Sequence, residues 1–326
     1  MSDSAIHVEG LYKEYDSLVA LKGIDFDVPP GTIFGLLGPN GAGKTTAIRI
    51  LSTILRPTGG RAEVMGFDVT EDPAGVRSVI GLAGQSAAVD GNLTGRENLR
   101  LIGRLAQLHK KLIGPRADEL LERFDLTDAA NRPLRTYSGG MRRRLDVAAA
   151  LVQKPPVLFL DEPTTGLDIQ SRTELWEVIR ELVTEGSTVL LTTQYLEEAD
   201  RLADRIAVVN EGRIVANDTA AKLKSHLGRT TIEVGMDSDE KSVRAQELLS
   251  GLFDRTERED STVHLMSTKG PSILIETLRT LEANDLSPES ISVREPTLDE
   301  VFLALTNARG SATKFDPESS EKRGDS

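Results

Sequence analysis

Residues 38–45 read "GPNGAGKT", directly after the apolar run "IFGLL" and directly before "KTTAIRIL", whose apolar residues recur at helical spacing. A strand, a glycine-rich turn and a helix in that order constrain the fold strongly. Such a turn aims successive backbone N–H groups and the positive end of the helix at one point in space. Gly38, Gly41 and Gly43 allow a tight curl around a polyphosphate, with Pro39, Asn40 and Ala42 completing the loop. Lys44 adds a compact positive charge, Thr45 offers a hydroxyl suited to Mg²⁺, and Thr46 continues the first helical turn. The full pattern in this context predicts a site for the phosphates of a nucleotide, with Mg²⁺.

The rest of the chain supplies the matching scaffold. "TIFGLL" (32–37), "VLFL" (157–160) and "TVLL" (188–191) are short apolar runs bounded by turn residues, as buried parallel strands are. Residues 44–55, 117–124, 141–154 and 171–185 place apolar side chains three and four apart, so each predicts a helix burying one face. Alternation of the two predicts an α/β fold with a parallel core sheet covered by helices. The 326 residues are enough for two domains. The strand-and-switch pattern stops near residue 226, and from "TTIEVGM" (230–236) the order reads strand, helix, strand or hairpin, helix, strand and a final helix over 297–306. That order predicts a small α+β domain of split βαβ type over 227–307, after a nucleotide-binding domain over 1–226. Residues 308–326 are polar and charged and predict a disordered tail.

Two further motifs carry chemistry. "VLFLDEP" (157–163) ends a strand in adjacent carboxylates that point in different directions, so Asp161 suits Mg²⁺ and Glu162 suits polarising a water at the γ-phosphate. "TYSGGMRRR" (136–144) reads as a capping serine, two glycines and a helix. It is either a capped helix alone or a second anion site made by the Ser138 hydroxyl and the Gly139 and Gly140 amides. Arg142, Arg143 and Arg144 read as a solvated or acid-facing surface, because the chain carries a net charge of -12, which argues against nucleic acid as a partner. No cysteine is present, which removes disulfides and thiolate metal sites. No apolar run reaches the roughly 18 residues of a membrane span, and the N-terminus lacks signal-peptide character.

With "GPNGAGKT", "YSGGM", "VLFLDEP" and the "GLD" of 166–168 in one domain, the chain resembles the ATP-binding-cassette family over residues 5–226. The resemblance implies a P-loop ATPase domain with a parallel core sheet, an antiparallel N-terminal β part and a helical subdomain bearing the "SGG" signature. It implies a second ATP-binding subunit paired head to tail, a homodimer by expectation, with each ATP held between one phosphate loop and the other chain's signature. By the same resemblance Tyr15 in "YKEYDS" is the aromatic that stacks on adenine, and Gln85 in "LAGQSAAVDGNLTGRENL" touches Mg²⁺. Read without it, Tyr15 serves equally as an edge or core aromatic and Gln85 as a turn cap. Gln194 stands where most of the family has a histidine contacting the γ-phosphate. Its amide can donate a hydrogen bond but cannot become cationic; the other reading is a strand-end amide bonded to local backbone.

"LSTILRPTGG" (51–60), "YSGGMRRRLDVAAAL" (137–151) and "PTLDEVFLALT" (296–306) are similar to the daunorubicin/doxorubicin-resistance ATP-binding branch. For the last segment a dimer-locking or regulatory helix and an ordinary amphipathic helix packing on its own domain both remain open. The branch implies the ATPase subunit of an exporter of a hydrophobic drug, antibiotic or lipid. It would drive a separate integral-membrane permease at the cytoplasmic face of the cell membrane, with Lys44, Glu162 and Gln194 as the catalytic set. The competing reading is a soluble cassette protein acting on ribosomes or nucleic acid. Such proteins usually join two cassettes or carry long coiled-coil insertions, and neither is present. A P-loop kinase would leave "YSGGM" without a purpose.

Overall fold

The structure is a computed structural model that describes residues 4–84, 89–227, 230–267, 272–294 and 297–307. The expected tail therefore lies outside the described residues, as do Gln85 and Pro296. Contacts divide the chain into two compact units, Met1–Asn217 and Asp218–Ser326. The helix Ala220–Leu227, read from the sequence as the end of the first domain, is grouped with the second unit.

The first unit is built on a six-stranded sheet in the order Arg213–Asp218, Arg205–Asn210, Ile33–Leu37, Thr188–Thr193, Val157–Asp161, Ile80–Ala83. The four inner pairings from Arg205–Asn210 to Ile80–Ala83 are parallel. Every residue of Ile33–Leu37, Val157–Asp161 and Thr188–Thr193 is buried, which is why these segments read as unbroken apolar runs. Successive side chains go to opposite faces. Leu158, Leu160, Val189 and Leu191 join one core with the helices Gly139–Ala150 and Ile169–Thr184. Val157, Phe159 and Leu190 join another, which holds Ile48 of the helix Lys44–Leu51 and Ile6 and Val8 of the antiparallel sheet. That second sheet runs Leu18–Val28, Ile6–Tyr15, Gly59–Val64, Phe67–Asp68.

The helical part contains Gly95–Leu105, opened by a Thr94–Glu97 capping box, and Lys110–Arg123. The latter begins well before the predicted 117–124 and carries Pro115 inside it. A proline there removes one backbone bond and makes the preceding turn read as loop.

In the second unit the order Arg255–Glu259, Thr262–Ser267, Thr230–Gly235, Ser290–Arg294 gives an antiparallel sheet in which the first two strands form a hairpin and Thr230–Gly235 lies between Thr262–Ser267 and Ser290–Arg294, as in a split βαβ arrangement. Ile232, Val234, Val263 and Leu265 form its core with Ala245 and Leu249 of the helix Asp239–Leu249 and Ile273 and Leu281 of Ile273–Glu282. The final helix Leu298–Asn307 buries Leu298 and Val301 and packs on Ala220–Leu227 of the same unit.

Phe159 has no exposed surface at the centre of the parallel sheet. Phe159→Ala is expected to destabilise the first unit by about 3–5 kcal/mol, read as a lower urea midpoint in the fluorescence of Trp176, the single tryptophan.

Candidate functional site: a phosphate loop at the ends of parallel strands

The phosphate loop leaves Ile33–Leu37 at the carboxyl edge of the sheet, where ligands of such sheets bind. Gly38 N donates to Thr193 O (3.2 Å) and Ala42 N to Pro39 O (3.2 Å), closing the turn. Gly41 (φ +80°) and Gly43 (φ +107°) take left-handed conformations open to glycine at little cost. A Cβ on Gly43 would sit 2.6 Å from Ala20 O, and one on Gly38 would sit 2.2 Å from Val209 O. The glycines are thus set by close backbone packing as well as by dihedral angle. The helix Lys44–Leu51 has no side-chain cap at its N-terminus.

Lys44 is only 4% exposed. Its Nζ donates to Gly38 O (2.7 Å) and Pro39 O (3.0 Å) and lies 3.7 Å from Glu162 Oε1. Burial pulls the Lys44 ammonium below the usual lysine range, while the charges of Glu162 and Asp161 oppose that pull. The lysine is therefore a desolvated cation whose charge depends on neighbouring anions.

Asp161 and Glu162 end the strand Val157–Asp161 and diverge as the sequence suggests. Asp161 is buried, and its Oδ1 accepts from Thr45 Oγ1 (3.1 Å) and Thr192 Oγ1 (2.5 Å). Glu162 turns away because its backbone is left-handed (φ +51°), a state costing a non-glycine residue on the order of 1 kcal/mol or more. Thr192 holds that turn: Glu162 N donates to both its Oγ1 (3.0 Å) and its carbonyl (3.2 Å). The turn directs Glu162 Oε1 to Lys44, while Oε2 accepts from Thr165 Oγ1 (3.3 Å).

Lys44 and Glu162 line a cleft of about 920 Å³ together with Tyr15, Asn40–Thr46, Arg143 and Thr165. Tyr15 is 39% exposed at this cleft, with Lys13 Nζ 5.1 Å from its ring centroid. Gly38 and Pro39 meet the site through their carbonyls on Lys44. The Thr45 hydroxyl and Asp161 carboxylate, two hard oxygen donors side by side, fit Mg²⁺, which takes few protein oxygens and completes its shell from phosphates and water.

Other predicted residues are placed elsewhere. Ser138 caps Gly139–Ala150 by accepting from Met141 N (3.2 Å), and the preceding Tyr137 hydroxyl is anchored on Ala129 O (2.7 Å). Gly140 packs so closely that a Cβ would lie 2.8 Å from Ser171 Oγ. Among the described residues lining the Lys44 cleft, Ser138, Gly139 and Gly140 are not found. Gly139 instead borders a recess of about 180 Å³ with Arg143, Asp146 and Gly166. Gln194 follows Thr188–Thr193, half-buried, and also lies off the cleft's described lining.

The arginine run, read in the sequence as a solvated or acid-facing surface, divides. Arg142 alone is exposed; Arg144 pairs with Glu174 (3.3 Å) and Asp125 (3.6 Å). Arg143 turns inward. Its guanidinium donates to Gly84 O (2.6 Å), Asp161 O (2.9 Å), Pro163 O (2.8 Å) and Asp146 Oδ2 (3.0 Å). Burial lowers its pKa, opposed by the Asp146 and Asp161 carboxylates. Glu198, not singled out from the sequence, has no exposed surface; Oε1 accepts from Thr164 Oγ1 (2.8 Å) and Trp176 Nε1 (3.1 Å). Its signal was helical spacing, since it shares the buried face of Leu196–Leu202 with Ala199 and Leu202.

Loop, strand ends and sheet order define the class: a P-loop nucleotide-binding domain. Residues 21–165 match the sequence model of the family described as ABC transporter. The chain is 51% identical over 317 residues to the daunorubicin resistance ATP-binding protein DrrA2 of Streptomyces coeruleorubidus, covering 96% of this chain and 98% of that one. It is 45% identical over 312 residues to the doxorubicin resistance ATP-binding protein DrrA of Mycobacterium tuberculosis, covering 93% and 94% of the two chains. Among solved structures, an ATP-binding subunit of an ABC transporter superposes with a TM-score of 0.62 at 27% identity, over 68% of this chain and 92% of that one. The chain belongs to the ABC transporter family of ATP-binding proteins and carries its ATPase domain.

Burial pushes the Glu198 carboxyl above its ordinary value of 4.5, against hydrogen bonds from Thr193, Thr164 and Trp176 that lower it. The folded state therefore keeps this proton where the unfolded chain has released it. The stabilisation is full below pH 4.5 and is lost as pH rises through the folded value. Glu198→Gln is expected to remove that component, so the stability difference between variant and parent shifts in the variant's favour as pH rises from 4.5 through neutrality, read from urea midpoints across pH.

Proposed function

We propose that the chain is the ATP-hydrolysing subunit of an exporter, driving a separate integral-membrane permease that moves a hydrophobic drug, antibiotic or lipid. Relatives carry names of daunorubicin and doxorubicin resistance, of Nod factor export and of linearmycin resistance. Among the described residues no helix is long and apolar enough to cross a membrane, so the span would come from the permease and the chain would sit at its cytoplasmic face. The net charge of -12 argues against nucleic acid as the partner.

The observation that carries this reading is the meeting of Lys44, Asp161 and Glu162 at one strand edge beneath the phosphate loop. Lys44 and the loop amides bind the terminal phosphates of ATP, and Tyr15 supports the adenine by stacking. Thr45 and Asp161, with Gln85 by family resemblance, would hold Mg²⁺, which would neutralise phosphate charge. Glu162 accepts a hydrogen bond from a water that attacks the γ-phosphorus. The bond to the β,γ-bridging oxygen breaks, the water's proton passes to the Glu162 carboxylate, and ADP and phosphate leave. Ser138, Gly139 and Gly140 lie off this cleft, which supports a composite site completed by the signature of a second ATP-binding subunit, a second copy in the simplest case. Gln194 can donate to a phosphate oxygen without adding charge, leaving Glu162 as the principal base.

Glu162→Gln in the purified, assembled transporter is expected to lower ATP turnover by about a hundredfold or more while ATP is still bound. Turnover equal to the parent's would overturn the assignment.

A further inference from the structure

The sequence run Arg142–Arg144 follows the "SGG" signature, yet its middle member is built into the machinery of the Lys44 cleft. The Arg143 side chain is 13% exposed. Its five N–H donors in a planar fork can serve several acceptors at fixed angles, which a lysine cannot do. Here they reach three separate segments. One is Gly84, the residue that directly follows the strand Ile80–Ala83. The second is the backbone on both sides of Glu162, through the carbonyls of Asp161 and Pro163. The third is its own helix, through Asp146, which is 2% exposed and pairs at i,i+3. Arg143 also lines both the ATP cleft and the recess that Gly139 and Gly166 border. A single guanidinium thus links the first turns of the signature helix to the residue that activates water.

We propose that Arg143 is a positioning residue that ties the signature helix to the Glu162 turn and to Gly84 at the end of the strand Ile80–Ala83, so that engagement of the signature by nucleotide sets the geometry of the catalytic carboxylate in the same chain. In a composite site the signature of one chain meets the ATP held by the other chain. Arg143 is then the connection within one subunit between the two nucleotides. Any movement of Gly139–Ala150 relative to the sheet must carry or break the three hydrogen bonds that leave the helix, two of them on the carbonyls flanking Glu162. The left-handed backbone of Glu162 makes this effective, because a strained turn is held by its surroundings and shifts when they shift.

The inference rests on the ATPase reading above, and the test separates the two. Arg143→Lys keeps the charge but loses the fork, and Arg143→Gln loses both. Each is assayed as the full chain in the transporter assembly for ATP turnover, and as the purified full chain for Mg-ATP binding and thermal unfolding. A displaced catalytic group costs about tenfold to a hundredfold in kcat, and that drop is expected in both variants at temperatures where each is folded, with ATP affinity close to the parent's and a lower unfolding temperature, since Asp146 loses its partner. If one variant does not fold, Asp146→Asn, which weakens the anchor without touching the fork, is expected to show the same split to a lesser degree. Ser138→Ala is then combined with Arg143→Lys. If Arg143 transmits what the signature senses, the double variant is no slower than the slower single one. Unchanged kcat, a parallel loss of ATP binding and turnover in folded variants, or fully additive losses would each overturn the proposal. A parent chain that neither binds nor cleaves ATP would instead sink the ATPase reading.

Discussion

The arrangement depends on a buried ammonium. Lys44 is held inside the phosphate loop by two carbonyls and sits 3.7 Å from Glu162, in a place where burial works against its charge. A cation so placed is stabilised by anions, and the fold offers two kinds: the carboxylates at the end of Val157–Asp161 and the phosphates the loop is shaped to receive. The glycines follow from the same need. Gly38 and Gly43 let the loop pass within van der Waals reach of Val209 and Ala20, so the lysine's carbonyl partners come close enough to serve it. The parallel sheet delivers both ends of the pair, because strands running the same way present their carboxyl ends on one edge.

Much of this was legible in the sequence because it rests on local rules. A tight turn needs glycine at fixed positions, a doubly covered strand needs an unbroken apolar run, and adjacent residues at a strand end must diverge. Asp161 and Glu162 show the last rule directly, although the left-handed turn that completes their divergence is fixed by Thr192, thirty positions away in the chain. The hairpin in the second unit was one of two readings left open, and the pairing of Arg255–Glu259 with Thr262–Ser267 decides it.

What escaped is set by tertiary partners. Three consecutive arginines on a helix read as a wet surface, since nothing local reveals that carbonyls at Gly84 and Pro163 await the middle one. Glu198 looked like one more acid in "EEADRLADR" until Thr164 and Trp176 were seen to enclose it. Pro115 hid the first turns of its helix, because a breaker of regular structure was tolerated where one lost backbone bond is offset by the packing of Ile113 and Ala117. The last helix, open to two readings, buries Leu298 and Val301 within its own unit.

The central claim is that Lys44 belongs to a built nucleotide site. Calorimetric titration of Mg-ATP into the purified full-length chain and into Lys44→Ala tests it most directly. A binding isotherm in the parent and an affinity lower by about tenfold or more in the variant is the predicted result, the range expected when a charge-assisted contact is removed. Equal affinity in the two chains, or no binding in the parent, would contradict the account.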